Sequence, residues 1–268
     1  MTTAHTDEDP ADNWTAVVRA RLALGRLLPL GGADDGAWLA ERAATAELRR
    51  AGAGVAGVAL GALRISASGA DAEPADGGGA VHVPAPPSAL PRVPLRIEAE
   101  FTASAALPGE RSGERSGELS GEPLPAVAQR LRAALSGCAA DRLGLAVEEV
   151  DLRVTALVER GSGNSSAPAG PVDVRAAAAV EGEAARLAAS VPGVAYLTET
   201  LGSAVTGTSG RVRVELATAA GHRPLEVTRA VRAKLTGSLP GAPSVAVLVT
   251  AVEAASRHRG AAASAPVG

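Results

Sequence analysis

An internal repeat constrains this chain more than any other feature, because a duplicated block has to fold as the same kind of unit twice. The closest match sets residues 132–137 beside 232–237, which are identical except for Ala134 against Lys234 and the similar pair Ser136 and Thr236. Both stretches end a segment whose apolar residues recur at i, i+4 and i+8, on one face of a helix. These residues are Val127, Leu131 and Leu135 in the first copy and Val227, Val231 and Leu235 in the second. Each helix is predicted to stop at its glycine, Gly137 or Gly237.

Matching segments flank the two helices in the same order. Before each helix, apolar and charged residues alternate as in a half-buried strand, and after each helix comes a stretch rich in β-branched residues. Ahead of both lies a helical segment that ends at a glycine before an extended stretch. The segments are 38–59, 95–101 and 150–156 in the first copy and 180–195, 211–216 and 245–251 in the second. This order predicts an α+β fold of two tandem two-layer sandwiches.

The segments around the copies complete the predicted organisation. Asn13 is suited to cap an extra N-terminal helix that ends before Pro29, and Asp35 to cap the helix that begins at Trp38. A Gly-Glu-Arg-Ser tract at 109–122 favours a solvated loop, with a charged docking tail as the alternative. The domains are a tail and helix over 1–34, a first copy over 35–160 with long exposed loops at 68–94 and 104–123, a linker over 161–171, a second copy over 172–256 and a disordered tail over 257–268.

The composition argues against several classes of function. Only two Trp, one Tyr and one Phe occur in 268 residues, so few aromatic rings are available for stacking on nucleic-acid bases. A net charge of -3 removes the global electrostatic attraction to nucleic acid. The single Cys138 excludes an intrachain disulfide and a multi-cysteine metal site. We expect a cytoplasmic protein, since the acidic start is no secretory signal and the most apolar window, 55–63, is too short to span a bilayer.

Motifs for catalysis or cofactor binding are weak. Residues 52–57 satisfy G-x-G-x-x-G, but a predicted helix precedes them and an extended segment follows, the reverse of a dinucleotide-binding site. The four histidines show no metal-ligand spacing, and His222 is expected to be a surface loop residue. The sequence contains no Gly-x-Ser-x-Gly turn and no acidic pair on adjacent predicted elements. We therefore predict no catalytic residues, no cofactor and no metal site.

The second copy carries a recognisable series of patterns. Valines alternate with charged residues over 212–216, a short glycine-containing loop follows, and a helix opens at Pro224. A valine-rich strand closes the copy over 245–253, and a V-x-G-V step at 191–194 ends its first helix. This series resembles the alkaline-shock, or envelope stress response, family. The first copy shows a weaker version, so the chain is similar to two diverged tandem members of actinobacterial type.

The resemblance implies a non-enzymatic scaffold or protein-interaction protein on the cytoplasmic side of the envelope. Its expected partner is a second copy or a membrane-anchored protein, with no nucleic acid and no direct membrane insertion. Two alternatives from other classes remain. One is a KH-like nucleic-acid-binding module, although a G-x-x-G clamp between adjacent helices has no convincing counterpart here. The other is a small-molecule enzyme.

A difference between the copies predicts a contact surface. In the first copy the last strand alternates, so Asp151 and Arg153 occupy a face that should meet water. The second copy has Ala246 and Leu248 at these positions, which leaves that strand apolar on both faces. A strand of this kind is normally covered on both sides. We expect the face bearing Ala246 and Leu248 to pack against the N-terminal helix, the first copy or a second chain.

Deletion of residues 109–121 should leave the free energy of unfolding nearly unchanged. Each doubling of a flexible loop's length adds only about 0.6 kcal/mol of closure cost, so shortening this one changes little. Denaturant melts of the full chain and of the deletion variant measure the difference. A loss above about 2 kcal/mol, the size typical of a lost packing contact, would show that the tract packs against the rest of the protein.

Overall fold

The α+β class is confirmed by a computed structural model, which describes residues 22–69, 83–105, 123–159, 177–208 and 210–254. Four α-helices lie wholly within these ranges: α1 Glu41–Ala53, α2 Leu124–Gly137, α3 Gly182–Ala189 and α4 Pro224–Ser238. The strands there are β1 Leu27–Leu30, β2 Ala37–Ala40, β3 Val58–Ala67, β4 Leu95–Ala105, β5 Val147–Glu159, β6 Val194–Leu197, β7 Val205–Thr208, β8 Arg211–Thr218 and β9 Ser244–Val252.

The described strands form two sheets. The smaller has the order β3-β4-β5, and the larger is six-stranded, with the order β1-β2-β9-β8-β6 and β7 attached to β8. In the small sheet β3 and β4 are antiparallel while β4 and β5 are parallel. In the large sheet β6 and β8 are antiparallel while β8 and β9 are parallel. The two copies therefore share one strand-pairing scheme, with α2 and α4 as the crossovers between their parallel strands.

Local details repeat along with the pairing. A β-bulge leaves Thr155 unpaired between Val154 and Ala156 of β5. A bulge at the corresponding position of β9 leaves Thr250 unpaired. Each threonine hydroxyl faces a backbone carbonyl of the central strand, that of Phe101 at 3.3 Å or Leu216 at 3.4 Å. These shared contacts indicate that each copy closes its parallel strand pair in the same way.

A second repeated contact ties each crossover helix to its last strand. Arg132 of α2 donates from Nε to the Val150 carbonyl at 3.1 Å, and Arg232 of α4 donates to the Val245 carbonyl at 3.0 Å. The apolar stripe predicted for both helices is confirmed, since Val127, Leu131 and Leu135 are buried in α2 and Val227, Val231 and Leu235 in α4. The division into two tandem domains remains a prediction.

The expected helix start at Trp38 is wrong. Residues Ala37–Ala40 form β2, which pairs with β9 in parallel, and α1 begins only at Glu41. Asp35 caps no helix of this kind: it ends a short 3₁₀ turn over Ala33–Asp35, and its Oδ2 accepts from the Gly32 N–H at 2.8 Å. The stretch up to Pro29 is not helical to its end either, because Leu27–Leu30 is β1. Sheet pairing overrides the helix propensity of this alanine-rich segment.

Part of the expected exposed loop at 68–94 is packed against the protein. Val83 and Val93 are buried, and Ala89 forms a β-bridge with Leu27 of β1. The first crossover helix was expected to stop at Gly137, but the chain continues beyond it as a π-helical turn over Cys138–Leu143. In the second copy α4 passes Gly237 and ends at Ser238. Both crossover helices therefore continue beyond the glycines at which they were expected to stop.

Several predictions fall on residues outside the described ranges. They concern the helix capped by Asn13, the Gly-Glu-Arg-Ser tract at 109–122, the linker at 161–171 and the tail at 257–268.

Helix α1 connects the two sheets. It follows β2 of the large sheet directly, leads into β3 of the small sheet, and contacts both β3 and β9. Its buried residues include the small Ala43 and Ala44, which allow close approach of neighbouring backbone. The buried apolar side chains of both copies belong to one continuous core. Helix α1 therefore packs against both sheets.

Trp38→Ala should lower the free energy of unfolding by about 3–5 kcal/mol, the usual cost of removing a buried aromatic side chain. Trp38 is 1% exposed. Its cross-strand neighbours are Pro29 and Leu248, and the Arg92 guanidinium lies 4.9 Å from its ring centroid. Denaturant melts measure the loss, with Leu22→Ala as the control because Leu22 is 77% exposed. A change within about 0.5 kcal/mol for both variants would show that β2 does not hold the large sheet together.

Candidate functional site

The two residues expected to form a contact surface, Ala246 and Leu248, lie in β9 near the middle of the large sheet. Leu248 is 2% exposed and Ala246 is half-buried. Cross-strand neighbours share a sheet face, and those of Leu248 are Trp38 on β2 and Glu215 on β8. The chain's own N-terminal strands therefore lie beside Leu248, and its side chain offers no surface to a second molecule.

The same sheet face carries a buried carboxylate that the sequence pattern placed in water. Alternation along β8 assigns Glu215 to a polar face, yet its side chain is fully buried. Its Oε2 accepts hydrogen bonds from the N–H groups of Thr200 and Leu201, both at 3.0 Å. Its Oε1 lies 3.4 Å from Nη2 of Arg213. Glu215 therefore fixes the connection between β6 and β7 over the sheet, which is a structural role.

A second buried carboxylate lies where the two copies meet. Glu47 of α1 is 1% exposed, and it pairs with Arg50 one turn later and with Arg142 of the π turn, whose Nη2 lies 3.3 Å from Oε2. Beside it is a cleft of about 120 Å³. The cleft is lined by Glu47, Asp141, Arg142, Leu143, Gly221, His222, Arg223, Val252 and Glu253. The burial of Glu47 was not predicted from the sequence. Helical spacing could have predicted it, because Glu47 shares a face with the buried Ala43, Ala44 and Leu48.

The π turn Cys138–Leu143 shapes this cleft. It ends at Gly144, where φ is +81° and an added Cβ would lie 2.7 Å from the Cβ of Leu225. Only glycine suits this combination of left-handed backbone and close approach. The turn exposes the Ala140 carbonyl, which accepts a hydrogen bond from the Arg223 guanidinium at 2.7 Å. The turn of the first copy is thereby joined to the loop before α4 of the second.

Polar side chains around the cleft form hydrogen bonds within the protein. The Tyr196 hydroxyl donates to Oε1 of Glu253 at 2.9 Å. His222 is exposed, as expected, and its Nδ1 lies 3.3 Å from the Ala220 carbonyl. Burial raises the pKa of the Cys138 thiol to about 11, so it stays protonated at neutral pH and is a poor nucleophile. Within the described ranges, no group of three or more potential metal ligands occurs. The arrangement supports an ion-paired joint between the copies.

The strongest exposed apolar feature is the outer end of β5. Val154, Leu157 and Val158 are 37%, 60% and 40% exposed. The bulge at Thr155 shifts the alternation, so that Leu157 returns to the face of Val154, opposite the buried Ala103 of β4. Among the described strands, β5 pairs only with β4, which leaves its second edge open. Apolar side chains next to an edge without a described partner strand make that edge suited to pairing with another strand.

The opposite face of this sheet is charged. Nε of Arg96 on β4 lies 2.6 Å from the Asp151 carboxylate and its Nη1 3.4 Å from that of Glu149, both on β5. Arg153 lies 3.7 Å from Glu100 in the same way. These positions are exposed or half-buried, as the alternation of β4 and β5 predicts.

Comparison with known proteins yields no match: no family model fits the sequence, and no curated protein or solved structure is similar to it at a significant level. The likeness to the alkaline-shock family therefore remains a prediction. In the part of the chain that the structure describes, no helix is long and apolar enough to cross a membrane.

Glu47→Ala should lower the free energy of unfolding by about 1.5–3 kcal/mol, because it removes the buried carboxylate that the partly exposed Arg50 and Arg142 contact. The matched control is Glu226→Ala, since Glu226 is 58% exposed and forms comparable pairs with two arginines. The control should lose less than about 1 kcal/mol. Equal losses in denaturant melts would mean that the buried joint adds nothing beyond a surface ion pair.

Proposed function

We propose that this chain is a non-enzymatic scaffold that acts through protein contacts, of the envelope stress response type. The observation that carries this proposal is the open edge of β5 with its exposed Val154, Leu157 and Val158. Scattered exposed apolar residues are ordinary, but here Val154 and Leu157 share one face of the edge strand and Val158 lies on the other, so the strand end is apolar on both faces. Such an edge can accept a further strand, with backbone hydrogen bonds supplying affinity and the side chains supplying selectivity.

The charged cleft supports a structural role over a ligand site. Its volume of about 120 Å³ is below the roughly 300–1,000 Å³ of pockets that enclose small molecules. Its buried carboxylate, Glu47, already faces two guanidinium groups. Selective binding of a charged ligand would have to break these pairs, which is costly in a buried setting. The cleft therefore serves the proposed scaffold by holding the two copies in a fixed arrangement.

The family likeness adds a location and a kind of partner to this proposal. Two tandem copies resemble proteins that work on the cytoplasmic side of the envelope. We place this chain in the cytoplasm, held near the membrane through a protein partner. The second copy uses its corresponding edge internally, because β2 pairs with β9. The first copy therefore supplies the contact surface in this proposal.

A photo-crosslinking experiment in the native host tests the proposal. The full chain carries p-benzoylphenylalanine in place of Leu157, beside the open edge of β5. The matched control carries it in place of Ala62, which is exposed on β3 at the other side of the same sheet. We expect a discrete crosslinked protein product from position 157 and much less from position 62. Equal products from both positions, or none from position 157, would contradict a role for this edge.

A further inference from the structure

We propose that β5 pairs with β5 of a second copy of this chain, antiparallel and centred on Leu152, so that two small sheets join into one. This inference rests on the proposed function and names its partner. The evidence lies in the symmetry of β5 itself, first on its apolar face and then on its charged face.

The internal repeat shows what the open edge lacks. In the second copy, β9 is flanked on both sides, by β8 and by β2. Within the described ranges, β5 has only β4. An edge of 13 residues with no described partner strand presents a row of N–H and C=O groups, which favours pairing with another strand, although the Val150 carbonyl already accepts a hydrogen bond from Arg132. Among the described residues, the repeat therefore points to this edge of the small sheet as the one without the strand that β2 supplies in the large sheet.

The apolar face of β5 is symmetric about Leu152. Its residues are those opposite the buried Leu95, Ile97, Ala99, Phe101 and Ala103 of β4, namely Val147, Val150, Leu152, Val154 and Leu157. The irregular spacing arises from two bulges, one before Glu149 and one at Thr155. In an antiparallel pair centred on Leu152, Val150 meets Val154 of the second copy. Val147 meets Leu157 in the same way, so Leu157, which is 60% exposed, gains an apolar neighbour.

The charged face is complementary in the same register. Residues one before and one after the centre lie opposite each other, so Arg153 of each copy meets Asp151 of the other. Arg153 has a side chain 81% exposed, and its own carboxylate partner, Glu100, is 3.7 Å away. Opposite charges that face each other across strands stabilise a pair, while like charges destabilise it. Both faces therefore specify the same register and the same partner.

Charge reversal tests this register in the full chain. R153D places two acids opposite each other, and D151R places two arginines opposite each other, so each variant alone should be monomeric. Mixing them sets Asp against Arg at both sites, so the mixture should form a heterodimer. Sedimentation velocity up to about 100 μM, where a micromolar dimer is almost fully formed, reads the mass. Wild type should approach twice the 26.5 kDa chain mass.

Cysteine crosslinking checks the centre independently of charge. L152C brings two cysteines face to face on the symmetry axis, within the Cα separation of about 4.4–6.8 Å that a disulfide needs. The matched control is R64C, exposed on β3. Oxidation should give a covalent dimer of L152C and much less of R64C, and Cys138 contributes little because it is buried. Melting temperatures close to wild type show that the variants are folded.

A monomeric wild type, a dimeric R153D, or failure of the mixture to associate would overturn the proposed pairing. These outcomes leave the proposed function intact if position 157 still crosslinks to a different protein. A monomer that also gives no crosslink from position 157 would overturn both proposals. If a variant is unfolded, the L152C crosslink in an otherwise wild-type chain decides between a dimer and a monomer.

Discussion

Helix α1 has to serve two sheets at once, and the rest of the arrangement depends on this constraint. The chain passes from β2 of the large sheet into α1 with no connecting residues, then reaches β3 of the small sheet after one short turn. A helix fixed at both ends between two sheets leaves little freedom for their relative position. The small Ala43 and Ala44 fit this crowded setting. The ion pairs of Glu47 then secure the helix to the π turn of the first copy.

The repeat explains why the same strand has two different surroundings. Both copies close their parallel strand pair with a bulged threonine, Thr155 or Thr250, and with an arginine from the crossover helix. The copies differ at the outer edge of the last strand. In the second copy β2 occupies that edge, whereas in the first copy no described strand does. The two copies thus share one core, but of their two last strands only β9 of the second copy has a described strand on both sides.

Patterns that depend on neighbours in sequence predicted much of this fold. The stripe of Val127, Leu131 and Leu135 and the alternation along β4 need only the period of a helix or strand. The predictions failed where a distant partner decides the structure. Trp38 lies in an alanine-rich stretch that favours a helix, and its pairing with Pro29 and Leu248 makes it part of a strand. Glu215 looks like a surface residue until Thr200 and Leu201 cover it.

The contrast between Ala246 and Leu248 in β9 and Asp151 and Arg153 in β5 now has a physical cause. Leu248 is apolar because Trp38 lies beside it within the same chain, so a charge there would be buried. Arg153 is charged because its face of the small sheet meets water. The apolar strand thus marks the edge that the chain has already filled. The strand with the more ordinary alternating sequence has no second partner among the described strands, and our proposal places the partner there.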